Sequence, residues 1–278
     1  GTVWAGDARE GFNGGAARTH WVVTSDEQRA AFQALRPHCD QARVMPFLEG
    51  IPCSIHGLVL PDGTAVFRPA EMLVLRNARQ FVYARAAMYW DPPRPDRERM
   101  RAVARRVGEH LRQTVDYRGA FTVDGVLTAH GFLPTELNPR VGAAMGMLTP
   151  SVSMSLLHFA VIEGVDIGVS AAELESVVLS QADVYRSGHF GFSVTQLLEP
   201  SEHALRWAVD RWTEASDTAD LHVRVGSGPT GGFVNARPVA ENMPVGPSFA
   251  PRVAAFADWA DAHLGTHIGP LTPARSPS

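Results

Sequence analysis

The chain contains no lysine; all 25 of its basic residues are arginine. Wherever a phosphate or carboxylate must be held by a cation, the planar guanidinium fork is therefore the only permanently charged side chain on offer. Cysteine is nearly absent as well. Cys39 and Cys53 make neither a disulfide framework nor the spacing of a metal site. No apolar run reaches the length of a membrane span, and no signal-peptide pattern opens the chain. Net charge is −4, which gives no basic field to attract nucleic acid. These absences leave the expectation of a soluble cytoplasmic chain with no nucleic-acid or membrane partner, and with homo-oligomer formation open. At 278 residues, 45% hydrophobic and 19% charged, it is long enough for two lobes and a substantial core.

What is present centres on Phe121 to Gly146, FTVDGVLTAHGFLPTELNPRVGAAMG. Two apolar runs bracket a polar turn, Thr128-Ala-His-Gly131, in the manner of a β-hairpin. Glu136 and Asn138 stand two apart and so share one face of a strand. If Asp124 pairs across the hairpin, three oxygen ligands converge, with Arg140 next in the row. Hard oxygen ligands beside a guanidinium suit Mg²⁺ carrying nucleotide phosphates, because that ion keeps several waters and takes few protein carboxylates. The competing reading is an ordinary hairpin with solvated acids.

An acid, then Glu136-Leu-Asn138-Pro-Arg140 twelve residues on, resembles the metal-binding signature of the ATP-grasp ligases. PFLEG, SIHG, FRPAEM and PTELNPR are similar to an actinobacterial peptide-ligase branch of the pheganomycin type. The resemblance implies an α+β ATP-grasp fold, with ATP and Mg²⁺ as cofactors. The activity it implies is activation of a small-molecule or peptide carboxylate as an acyl phosphate, then amide formation with an amine. Asp124, Glu136 and Asn138 would hold the metal, and Arg140 would stabilise the transferring phosphoryl group. The resemblance also implies a preceding lobe; since the sequence opens on Gly1-Thr-Val-Trp4, it reads as the C-terminal part of a longer protein that requires that lobe. Two alternatives stay open: a degenerate ATP-grasp domain that binds without catalysis, and a carboxylase or phosphotransferase.

Residues 5 to 20 form a glycine-rich segment between two apolar strands. Gly11, Asn13, Gly14 and Gly15 are the candidates to cradle phosphates, since glycine lets backbone N–H groups approach closely. The family's usual lysine before this loop is replaced by Trp4 or Ala5, leaving Arg9 or Arg18 to supply charge. The resemblance makes Val44 to Leu60 a hinge whose backbone around Met45 to Phe47 meets the adenine edge. Pro52 stands where a ribose-holding glutamate is usual, so either Glu49 takes over or the ribose is held differently. His56 is read as a structural histidine or a cleft residue. Arg68 and Glu71 interrupt the apolar run Val66 to Leu75, where they either pair with each other or Arg68 reaches the substrate carboxylate.

Helical spacing marks Ser25 to Pro37 (with Phe32 on its apolar side), Asp96 to Val115, Ser201 to Thr213 and Pro251 to Leu264. Ser151 to Gly164 reads as a buried helix, and Gly226 to Gly232 as a turn rather than a phosphate loop. The expected organisation is a lid subdomain over 1–44, an antiparallel-sheet catalytic subdomain over 45–165 and a C-terminal αβ extension over 166–278.

Overall fold

The computed structural model describes residues 1–7, 9, 18–78 and 80–276. The N-terminal unit holds β1 (Thr2–Gly6), β2 (Thr19–Val22), α1 (Ser25–Leu35) and β3 (Ala42–Pro46), with β1 paired antiparallel to both β2 and β3. Thr24, not Ser25, caps α1: its hydroxyl accepts from the Glu27 N–H at 3.3 Å, and Glu27 accepts from the Thr24 N–H at 3.0 Å. Such a reciprocal box contributes about 1 kcal/mol. Ala31 and Leu35 are buried; Phe32, counted above with the apolar face, is exposed.

The middle of the chain gives β4 (Ile51–Leu60), β5 (Gly63–Val66), β6 (Ala70–Asn77), β7 (Gln80–Ala87), α2 (Arg94–Val115), β8 (Gly119–Thr128) and β9 (Gly131–Asn138). The single strand expected from Val66 to Leu75 is broken at Phe67-Arg68-Pro69, so β5 pairs only with β4, and β6 touches β4 at Ser54↔Ala70 and Cys53↔Glu71. Then follow α3 (Met154–Ile162), α4 (Ala171–Val184), β10 (Gly188–Val194), β11 (Ser201–Ala208), β12 (Arg211–Glu214), β13 (Leu221–Gly228), β14 (Gly231–Pro238) and α5 (Ala250–Leu264). Among the described residues the strands join in one sheet of order β12-β11-β13-β14-β10-β7-β6-β4-β8-β9, so strands after residue 166 continue the sheet built before it.

Two expectations are corrected. Residues 201–213 form the β11–β12 hairpin, not a helix. Leu205, Ala208, Val209 and Trp212 do fall at helical spacing, but His203, Leu205 and Trp207 also alternate, and pairing with β13 decides for the strand. The turn, Val209-Asp210, has φ of 51° and 57°, a left-handed pair usually carried by Asn-Gly, so residue type did not announce it. Residues 151–164 do form α3, but it is not buried: Leu156, Phe159 and Ile162 are 70%, 62% and 49% exposed. A helix apolar all round has no pattern from which its inner face can be read.

Three apolar clusters hold the layers together. Under α5, Phe256 packs edge-on to Phe190, with ring centroids 5.2 Å apart, against Leu73, Ala84 and Val234. Under α2, Met100 and Ala104 meet Ile55, Val123 and Leu127, while on the other face α3 and α4 cover Leu58, Phe67, Ala70 and Met88. Each fully buried large side chain contributes roughly 2 kcal/mol. Glu71 does not pair with Arg68. Buried, it accepts from the Phe249 N–H (2.7 Å), the Ala250 N–H (3.4 Å) and Ser248 at the start of α5, and burial pushes its carboxyl up to about 7. No helix among the described residues is long and apolar enough to cross a membrane.

Candidate active site

The α2 side of β4 and β8 takes Ile55, Val123 and Leu127, so strand alternation turns Ser54, His56, Thr122 and Asp124 to the opposite face. Register then brings the acids together. From the turn outward β8 pairs regularly as far as Gly125↔Pro134, then shifts by one so that Asp124 faces Glu136 and Thr122 faces Asn138. Without this bulge Asp124 would oppose Thr135, and Glu136 would fall on the α2 side. The extra residue re-aims the edge strand, which tolerates Pro134 because no strand among the described residues pairs beyond it.

Of the three polar groups expected to converge, Asp124 and Asn138 are joined in one hydrogen-bonded row, while Glu136 faces Asp124 across the hairpin without a hydrogen bond to it. Asn138 donates to Asp124 Oδ2 at 2.9 Å, Ser54 donates to Asp124 Oδ1 at 2.7 Å, and Arg140 donates to Asn138 Oδ1 at 3.2 Å. Burial raises the Asp124 pKa and Glu136 adds to this; Ser54, Arg140 and Asn138 oppose it. A cation would relieve both causes of the rise, and two carboxylates with one amide oxygen form a hard donor set suited to Mg²⁺. Beyond Arg140 the chain crosses the sheet so closely that a Cβ on Gly142 would lie 2.3 Å from Thr122 Oγ1. His56 lies beneath this crossing. Its Nδ1 is 2.9 Å from Thr122 Oγ1, its buried Nε2 has no partner among the described residues, and burial drives its pKa down to about 4.

Beside the row lies an apolar cleft of about 360 Å³, lined by Met45, Phe47, Leu48, Val74, Phe81 and Val126 among others. Phe47 meets Trp21 at a tilt, with centroids 5.1 Å apart, and stacks on Phe81 at 6.3 Å, and the Arg76 guanidinium lies 5.0 Å from the Trp21 ring and 5.4 Å from the Phe47 ring. The backbone expected to meet an adenine edge is engaged with the N-terminal strand. The Phe47 N–H is donated to the Gly1 carbonyl at 3.1 Å and Met45 pairs with Val3, whereas the Leu48 amide has no partner among the described residues. Glu49 does not line the cleft; its carboxylate sits 3.8 Å from Arg76, which does.

Arg68 departs from expectation. Only 4% exposed, it pairs with Asp91 at 3.1 Å and with Asp183, so its guanidinium is committed to the packing of α4 against the sheet rather than to Glu71 or a substrate. Arg9 pairs with Asp40 in the open. The candidates Gly11, Asn13, Gly14 and Gly15 lie outside the described residues. Sequence reasoning missed Ser54, Phe81 and Trp21. Ser54 was marked by a polar alternation, Ser54 and His56, in an otherwise apolar strand; the two rings carried no signal, since only folding brings them to Phe47.

No family model matches the sequence, and no characterised relative was found for it by sequence. Solved structures do match. The Thermus thermophilus N5-carboxyaminoimidazole ribonucleotide synthetase superposes with a TM-score of 0.50 at 17% identity, over 85% of this chain and 56% of that one. The Aspergillus clavatus N5-carboxyaminoimidazole synthase, in complex with ADP and its ribonucleotide, gives 0.51 at 12% identity over 88% and 57%. The biotin carboxylase domain of the Hydrogenobacter thermophilus 2-oxoglutarate carboxylase, with MgADP and bicarbonate, gives 0.52 at 13% identity over 98% and 58%. The fold is the ATP-grasp fold. The likeness at these identities is one of fold alone, and the chain spans just over half the length of these ATP-grasp structures.

Proposed function

We propose that the chain is the nucleotide-binding core of an ATP-dependent ligase that activates a carboxylate as an acyl phosphate and joins it to an amine. The observation that carries this is the hydrogen-bonded row Asp124, Asn138 and Arg140, facing Glu136 and set beside an apolar cleft wide enough for a purine base. In this reading the cleft takes the base, with the Phe47 ring against it and the free Leu48 amide at its edge. Asp124, Glu136 and Asn138 would hold Mg²⁺, which when bound neutralises phosphate charge. Arg140 faces the transferring phosphoryl group and then the acyl phosphate, where a preorganised cation acts most strongly. Ser54 and Asn138 orient Asp124 by donating to both its oxygens. A peptide-ligase role is the finer form of this proposal, resting on the PTELNPR resemblance; carboxylation is the second reading, favoured by the likeness in fold to the biotin carboxylase domain.

The test is ADP release. An acid and an amine should both be required, bicarbonate should not replace the amine, and Glu136→Ala should abolish calorimetric binding of MgADP with the melting temperature unchanged. Unaltered MgADP affinity in Glu136→Ala would sink the metal assignment; release driven by bicarbonate alone would select the carboxylase reading.

A further inference from the structure

Arg85 has φ of 85° in the interior of β7. The other described non-glycine residues with positive φ, among them Ala78, Asp116 and Val209, lie at turns, loops or a helix end. Opposite Arg85, β6 pairs Met72 with Ala86 and Val74 with Tyr83, so two residues of β7 face one of β6. This is a bulge, a device that re-aims a side chain. A left-handed arginine is strained, and glycine or asparagine at the same place would largely avoid that strain. The re-aimed guanidinium is exposed and has no ion-pair partner among the described residues. In a chain of net charge −4, that combination calls for a ligand.

Its surroundings give the ligand's sign. In β10 and β14, Phe190, Val234 and Ala236 face α5, which turns His189 and Arg237 to the other side. The charges of Arg85 and Arg237 both bear on His189, and those of Asp124, Arg85 and Arg140 all bear on Tyr83. Arg85, His189 and Arg237 thus stand on three adjacent strands, β7, β10 and β14, and Tyr83 on β7 is within electrostatic reach of both Arg85 and the Asp124–Arg140 row. Arg237, like Arg85, has no ion-pair partner among the described residues.

Resting on the ligase reading above, we infer that Arg85, His189 and Arg237 bind a second anionic group, a phosphate monoester or a carboxylate, on the acid whose other carboxylate is activated beside Arg140. The substrate is then at least dianionic. The test is calorimetric titration of inorganic phosphate and of succinate into the full chain at low ionic strength, first without nucleotide and then with MgADP. At least one anion should bind saturably without nucleotide. Arg85→Asn, which suits the left-handed backbone, and Arg237→Gln should each weaken it about tenfold or more, the loss expected for one charge-assisted hydrogen bond. Arg106→Gln, the same loss of charge on α2 across the sheet, should leave it unchanged. Binding of phosphate alone identifies the monoester; binding of succinate alone identifies the carboxylate. No saturable binding of either, or an equal loss in Arg106→Gln, overturns the proposal. Failure of the unaltered chain to bind MgADP counts against the ligase reading separately, because the first titration contains no nucleotide.

Discussion

Two groups of arginines in this chain behave in opposite ways. Arg68, Arg97 and Arg186 surround Asp91 at 3.1, 2.7 and 3.8 Å, and Asp183 joins Arg68 from the end of α4. That group is mostly buried, and it ties the start of α2 and the end of α4 to the strand ends between them. Arg85, Arg140 and Arg237 are exposed on the cleft face and make no ion pair among the described residues. A buried ion pair returns little net stability over an apolar replacement, yet losing one partner is costly because the other is left desolvated. An open guanidinium on a fixed strand contributes little to folding, so its cost shows when a ligand is bound. With lysine absent, one residue type serves both ends, and only its partners tell the roles apart.

The largest effect should fall on the open set. Arg140→Ala is expected to lower ADP release in the presence of acid and amine by about 100- to 1000-fold, the range seen when one preorganised charge donor is removed, with no change in melting temperature. A matching fall in melting temperature would move Arg140 into the structural set. The converse variant, Arg68→Met, should reduce folding stability by about 3 kcal/mol in urea denaturation, because Asp91 and Asp183 lose a shared partner. Under stabilising conditions it should still bind MgADP as the unaltered chain does; a selective loss of nucleotide binding would restore a site role for Arg68.

His56 sharpens the contrast through pH. Its folded pKa lies near 4, against an ordinary 6.5, so the unfolded chain binds the proton better and stability falls as pH drops. The contribution is fully present above pH 6.5 and shrinks by roughly 2.5 kcal/mol on reaching pH 4.5. His56→Gln should flatten that limb of a denaturation–pH curve, and an unchanged limb would place the acid sensitivity elsewhere. The smallest effect runs the other way: Arg85→Asn should raise stability by about 0.5–1 kcal/mol by relieving the left-handed backbone. A loss of stability instead would show that the arginine side chain supports the bulge.

Much of the fold was legible where local chemistry is strong. Glu136 and Asn138, two apart before Pro139-Arg140, carried the site, and Met100, Ala104 and their neighbours carried α2. The turns at Asp62 and His130 followed from their composition. Legibility failed where two periods coexist, as at Leu205 to Trp212, and where no period exists, as in α3. What the sequence by itself determined is therefore the inventory: two acids and an amide beside an arginine on a hairpin, a glycine-rich segment, and an apolar stretch from Val44 to Leu60. The tertiary structure alone decided how these groups are used. The bulge between Asp124 and Gly125 chose which face Glu136 takes, and α4 brought Asp183 to Arg68. The sheet carried Phe81 to Phe47 from a distant strand. Strand register and long-range pairing arise from contacts between residues far apart in the chain, and a one-residue shift in register reverses a face without altering a single letter of the sequence.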